Sequence, residues 1–380
     1  RYSFLLPLIL FTLIILFFVL KKTKRSFREL VRYLNLLFLL LIFVDLIYFR
    51  YKKVNQHETL LKTLTPCRDC PKPDIYLLVA DGYGGRKQLI EKFNFNNNAF
   101  EDSLRNRGFY IVDSSISNYS ATNTSMSSLL NMRYLGSPSV DVHQEFNKNS
   151  FSEYLKSIGY EVKNYSFFKI AGQYPPQEIN YFPVGKKLIT KHTFLKRLRN
   201  DIGHNFLLSN KSGNVFNRFK NKQLVFPNTT LGRDYLTMQQ LISETKSKNT
   251  TPRFVYCHFL MPHPPYLFDK TGNIVNTNAT KEAQYISYLE YTNKRILYAI
   301  DQIFAGSASL PVIFLISDHG YRDDDEKLSS DRFLNFKSIY LPDKNYNKYY
   351  KGISNVNMFR IFLNNQFQQQ LPLLADSVVF

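Results

Sequence analysis

Asp318 and His319 stand directly behind an unbroken apolar run, residues 312–316, with Ser317 before them and Gly320 after. Such a run suits a central parallel strand covered on both faces. Open α/β sheets carry their chemistry just past the carboxyl ends of such strands. A hard carboxylate oxygen beside a neutral imidazole suits a divalent metal such as zinc or manganese. Taken alone, the pair reads equally as a capping Asp and a surface His. Two other strand ends carry similar groups. Residues 74–80 are apolar after Asp74 and end in the turn Asp81-Gly-Tyr-Gly-Gly85; residues 253–260 contain His258 and lead into Met261-Pro-His-Pro-Pro-Tyr266. Strand ends along one edge of a parallel sheet converge in space. Asp81, Asp318 and His319 are therefore expected to form a metal site, with His258 and His263 brought to the same edge. The nucleophile candidates lie in the hydroxyl-rich segment 118–131, where coordination to a cation would activate a Thr or Ser hydroxyl. The same residues also read as a helix N-cap.

Elements that could hold these groups alternate along the chain. Helices are expected over 86–107 (interrupted by Asn-rich 94–98), 125–132, 151–158, 191–206, 234–246, 281–304 and 356–367. Further strands are expected over 108–113, 160–165 and 335–341. The 281–304 helix is the clearest, with Ile286, Leu289, Ile296, Leu297, Ile300, Ile303 and Phe304 at the 3.6 period. Strands alternating with helices predict an α/β domain, a three-layer α/β/α sandwich around a mostly parallel sheet.

Asp81-Gly, the Thr/Ser segment, Met-Pro-His-Pro-Pro-Tyr and Ser-Asp-His-Gly, in that order over roughly residues 74–365, resemble the alkaline phosphatase/sulfatase superfamily. The layout is similar to its membrane-anchored members, the lipoteichoic acid synthases and lipid A phosphoethanolamine transferases. The resemblance implies a catalytic Thr opening a helix in a Thr-x-x-Ser pattern, which maps onto Thr122 with Ser125, Thr124 with Ser127 being the competitor. It implies that Asp81, Thr122, Asp318 and His319 hold the metal. It gives His263 a role at the transferred group or leaving oxygen, and makes His258 a second catalytic-pocket histidine. The formylglycine signature of sulfatases departs from this chain: no Cys lies near residue 122 and no Pro/Arg pair follows it. That favours a plain Thr nucleophile. No His follows His319, so a second metal site is open, and the acidic run 323–326 reads as a solvated loop.

The 380 residues carry a formal net charge of +19. Residues 2–20 and 33–49 are apolar enough for two membrane spans, and Lys21, Lys22, Lys24, Arg25, Arg28 and Arg32 lie between them. The positive-inside rule makes that loop cytoplasmic and the remainder extracytoplasmic. The expected layout is two spans over 1–53, a Pro-containing linker over 54–73 and a catalytic domain over 74–380, on a bacterial inner membrane and facing the periplasm or cell exterior. The chain starts at Arg, so it reads as a fragment or processed form with room for spans upstream. A basic surface suits anionic lipid head groups or envelope polymers, and no nucleic-acid motif is present. Outside the cytoplasm Cys67 and Cys70 are expected as a local disulfide, with Cys257 as a buried hydrophobe. The implied reaction moves a phospho-head group (phosphoglycerol or phosphoethanolamine type) from a membrane lipid donor to a glycan, lipid or other alcohol. The alternatives are an envelope ester hydrolase using water and an inactive envelope-binding member.

Overall fold

A computed structural model describes residues 11–15, 17–18, 21–23, 27–54, 60–136, 141–175, 230–247, 249–275, 279–322 and 329–380. The runs that read as buried strands are the centre of the sheet. In chain order the strands are β1 (Ile75–Ala80), β2 (Tyr110–Ile111), β3 (Glu161–Tyr165), β4 (Arg253–Phe259), β5 (Val312–Ser317) and β6 (Lys337–Tyr340). They pair in the order β2-β6-β5-β1-β4-β3. The four central and outer strands β5, β1, β4 and β3 run parallel, while β6 is antiparallel to both β5 and β2. Every residue of β1, β4 and β5 is buried, as a sheet covered on both faces requires.

The helices are α1 (Arg28–Val54), α2 (Arg86–Phe93), α3 (Asn98–Asn106), α4 (Thr122–Asn131), α5 (Val142–Asn147), α6 (Ser150–Ser157), α7 (Thr230–Lys246), α8 (Lys281–Gly306) and α9 (Asn355–Gln366). The alternation of a strand sends successive side chains to opposite faces. Ile75, Leu77 and Val79 pack with Met126 and Leu129 of α4, Phe151 of α6 and Phe359 of α9. Tyr76, Leu78 and Ala80 pack with Leu89 of α2, Leu104 of α3, Leu241 of α7 and Leu289, Ile296 and Ile300 of α8. Two apolar layers thus sandwich one sheet.

The structure shortens or shifts several sequence-based expectations. The expected strand 108–113 pairs only at Tyr110–Ile111, and α4 starts at Thr122, three residues before the expected start. α5 was not anticipated, because its six residues bury only Phe146 and so carry little periodicity. The linker 54–73 is in part folded: Leu60–Thr63 form a 3-10 turn, Leu64 and Cys70 are buried, and Cys67 and Cys70 form a disulfide. Residues Thr59–Phe380 form one compact unit and Arg1–Glu58 another. In the latter, Arg28–Ile47 is long and apolar enough to cross a membrane. The other expected span, 2–20, lies largely outside the described residues, as do the 191–206 helix and the 323–326 run.

Candidate metal centre

The register of the sheet brings the chemistry to one edge. Ala80 stands opposite Phe259 on one side and Ser317 on the other, so β1, β4 and β5 end together. Asp81, His258 and Asp318 meet there with their ligand atoms all within 4.8 Å of one another, each residue buried. His319 Nε2 lies 3.3 Å from Asp318 Oδ2 and 3.6 Å from Asp81 Oδ1, and His258 Nε2 lies 3.9 Å from Asp81 Oδ2. Thr122 Oγ1, on the first residue of α4, is 3.4 Å from His319 Nε2.

The donor chemistry of this cluster fits a divalent cation. Among the described residues, Asp81 Oδ1, Asp318 Oδ2 and His258 Nε2 are buried and find no hydrogen-bond partner. Buried polar atoms are almost always paired, so three converging orphans need an explanation. His319 Nδ1 lies 2.7 Å from the Gly320 carbonyl, which can only accept, so that nitrogen carries the hydrogen. The lone pair of Nε2 then faces two carboxylates, and acceptors facing acceptors call for a cation among them. Burial lowers the pKa of both imidazoles, that of His258 to about 4, which keeps them neutral and ligand-competent. Burial, with the Asp318 charge next, raises Asp81 well above the ordinary carboxylate value. Burial also works against Asp318, but His319, His258, the Gly82 N–H and the Thr122 hydroxyl outweigh it and hold Asp318 below its ordinary value.

Each element is pinned by partners that sequence reasoning missed. The Asp81 turn is held by Tyr285 of α8, whose hydroxyl donates to Gly82 O (3.1 Å) and accepts from Gly84 N (2.9 Å). Gly82 takes φ +68°, a left-handed conformation that glycine enters without strain, so the turn itself calls for glycine. Asp318 Oδ1 accepts from the backbone N–H of Gly82 (3.0 Å) and of His319 (2.9 Å). Ser125 donates to Asp318 O, and Asn355 Nδ2 donates to Ser125 Oγ at 3.0 Å, tying α4 and α9 to the end of β5. Tyr256 OH contacts His258 Nδ1 at 2.7 Å and orients the ring. That partnership had a signal: residues i and i+2 of a strand share a face.

The expected residues distribute as follows. Asp81, Asp318 and His319 meet, with Thr122 against His319. Thr124 turns its hydroxyl back to Ala121 O (3.0 Å), away from that contact. His258, read as a second catalytic-pocket histidine, is buried with Asp81 and Asp318 in one cluster, opposite Val79 in the register of β4 on β1. His263 is half-buried in the following loop; its Nδ1 lies 2.7 Å from Pro264 O, leaving Nε2 free of that bond.

The sulfatase family model matches residues 73–374. No curated protein matches the chain. Among solved structures, a protein of the alkaline phosphatase superfamily from Vibrio parahaemolyticus is 12% identical with a TM-score of 0.50, over 82% of this chain and 71% of that one. The C-terminal periplasmic domain of the phosphoethanolamine transferase EptC from Campylobacter jejuni is 14% identical with a TM-score of 0.48, over 80% and 92%. The corresponding EptC domain from Escherichia coli is 12% identical with a TM-score of 0.47, over 80% and 86%. At these identities the likeness is one of fold.

Proposed function

Because the chain belongs to the sulfatase family, we propose that it moves a phospho-head group from a membrane lipid through a covalent phospho-threonine on Thr122. The observation that carries this is the placement of the Thr122 hydroxyl at the mouth of the buried acceptor cluster, 3.4 Å from His319 Nε2. The proposed cation ligands are Asp81, Asp318, His319 and Thr122, with His258 as a further donor. When bound, zinc or manganese would lower the pKa of the threonine hydroxyl and neutralise charge on phosphorus.

The residues themselves supply the rest. Thr122 Oγ1 passes its proton to solvent water and bonds to phosphorus as the bond from phosphorus to the lipid alcohol oxygen breaks. His263, its Nδ1 anchored on Pro264 O, delivers a proton from Nε2 to the departing alcohol. The ring then takes a proton from the incoming alcohol or water, whose oxygen bonds to phosphorus as the bond from phosphorus to Thr122 Oγ1 breaks and Thr122 regains a proton from solvent. The first turn of α4 follows Ala121, which offers no side-chain cap, so its N–H groups suit the phosphoryl oxygens. The apolar helix Arg28–Ile47 fits an enzyme held at the inner membrane with its site among extracytoplasmic head groups.

Mass measurement of the Thr122 peptide after incubation of zinc-loaded protein with phosphatidylethanolamine or phosphatidylglycerol tests this reading. A head-group adduct on Thr122 is expected, and Thr122→Ala should lower turnover of a chromogenic phosphodiester by about a thousand-fold or more. Unchanged turnover in Thr122→Ala would overturn the nucleophile.

A further inference from the structure

Arg322 lies five residues beyond the end of β5. With Gly82, His263, Tyr285, His319 and Tyr321 it lines a small pocket beside the Asp/His cluster. Its Nη1 donates to Ser120 O at 2.9 Å, two residues before Thr122, which fixes the guanidinium against the nucleophile segment. Its Nε is buried and, among the described residues, has no hydrogen-bond partner. Among the described residues no carboxylate forms an ion pair with it. Yet its charge reaches the cluster: after burial and the Asp318 charge it lowers the Asp81 pKa, and after burial and Asp318 it lowers that of His319.

A buried guanidinium N–H without an acceptor is costly, and the fork of an arginine matches two oxygens of a tetrahedral oxyanion. We propose that Arg322 is a substrate-binding residue that takes the non-bridging oxygens of a phosphate ester, holding the phosphorus between its guanidinium and Thr122. This rests on the phosphoryl-transfer reading above, and it names the cationic contact that recognises the anion apart from any metal. The same contact would serve a lipid phosphodiester or free orthophosphate.

The test uses the full chain, zinc-loaded in detergent, as wild type, Arg322→Ala and Arg322→Lys. Bound zinc is measured for each, orthophosphate affinity is measured by calorimetry, and KM is measured for phosphatidylglycerol in vesicles. Zinc content is expected to stay at the wild-type level. Orthophosphate affinity is expected to fall about ten- to hundred-fold in Arg322→Ala, as for loss of a hydrogen bond to a charged group, and less in Arg322→Lys, which keeps the charge but not the fork. A matching rise in KM for the lipid assigns the lipid phosphodiester as the source of the anion; a loss confined to orthophosphate assigns the free ion, and both support the contact. Wild-type orthophosphate affinity in Arg322→Lys and Arg322→Ala with zinc retained overturns it, as does loss of zinc in both variants, which would make Arg322 part of the scaffold. Orthophosphate binding needs no nucleophile, so full turnover by Thr122→Ala would overturn the proposed function and leave this inference standing.

Discussion

Asp234 shows how one buried acid can set a site loop and leave a trace in stability. Its Oδ1 accepts from Leu260 N (2.6 Å) and its Oδ2 from Met261 N (3.0 Å), where β4 turns toward His263. Burial raises its pKa to about 7 against the pull of those two N–H groups. The unfolded carboxyl titrates near its ordinary value, 3.8. Between the two the folded state binds more protons, so this contribution to stability is full below about pH 4 and is lost as pH rises to about 7. Thermal unfolding followed from pH 4 to 8 should therefore show a decline over that window, and the decline should be smaller in Asp234→Asn. Equal slopes in the two proteins would place the titration elsewhere. At this scale the chain named its chemistry by residue type, but not which hydroxyl or histidine would do what. Thr122 and Thr124 both open a Thr-x-x-Ser pattern, Thr122 being the one the resemblance favours; the first turn of α4 sets Thr122 against His319 and turns Thr124 to its own backbone.

Among the elements, the turn at Gly320, just past the end of β5, is closely confined. A Cβ on Gly320 would lie 2.5 Å from Leu334 O and 2.9 Å from Asp331 O, both backbone atoms. Gln88 of α2 clamps the next residue, accepting from Tyr321 N and donating to Tyr321 O, each at 2.8 Å. Gly320→Ala must therefore push the chain that carries His319 away from its partners. We expect a cost of about 1–3 kcal/mol, read as a lowered denaturant midpoint, together with weaker zinc binding. Native zinc affinity at reduced stability would separate the loop from the site. The strands β1, β4 and β5 were legible because apolar runs of that length have few other fates. β2 and α5 were not, since two paired residues or one buried Phe leave no period to read.

For the whole molecule, the compact unit Thr59–Phe380 contains the sheet, both apolar layers and every residue of the proposed site. A fragment of that span should fold in aqueous buffer, bind zinc as the full chain does and remain in the supernatant when vesicles are sedimented, while the full chain sediments with them. A fragment that pellets equally would move the membrane contact out of residues 1–58. The net charge of +19 adds attraction to anionic vesicles, so that experiment is best run at physiological salt, where exposed charges are screened beyond about 8 Å.

The amino-acid sequence by itself determined the class of fold and the family, because apolar runs ending in Asp-Gly, Met-Pro-His and Ser-Asp-His-Gly encode buried parallel strands and the groups at their ends. Tertiary structure alone decided which of those groups share a volume. Sheet register, a property of paired strands, sets Val79 opposite His258 and Ala80 opposite Ser317, and so brings His258 together with Asp81 and Asp318. It also decided that Arg322, an ordinary cation in the chain, lines a pocket with His319 and His263 and donates to Ser120 O. Such meetings depend on contacts between residues some 60 to 240 positions apart, as with Gly82 and Asp318 at a separation of 236, and no local pattern records them.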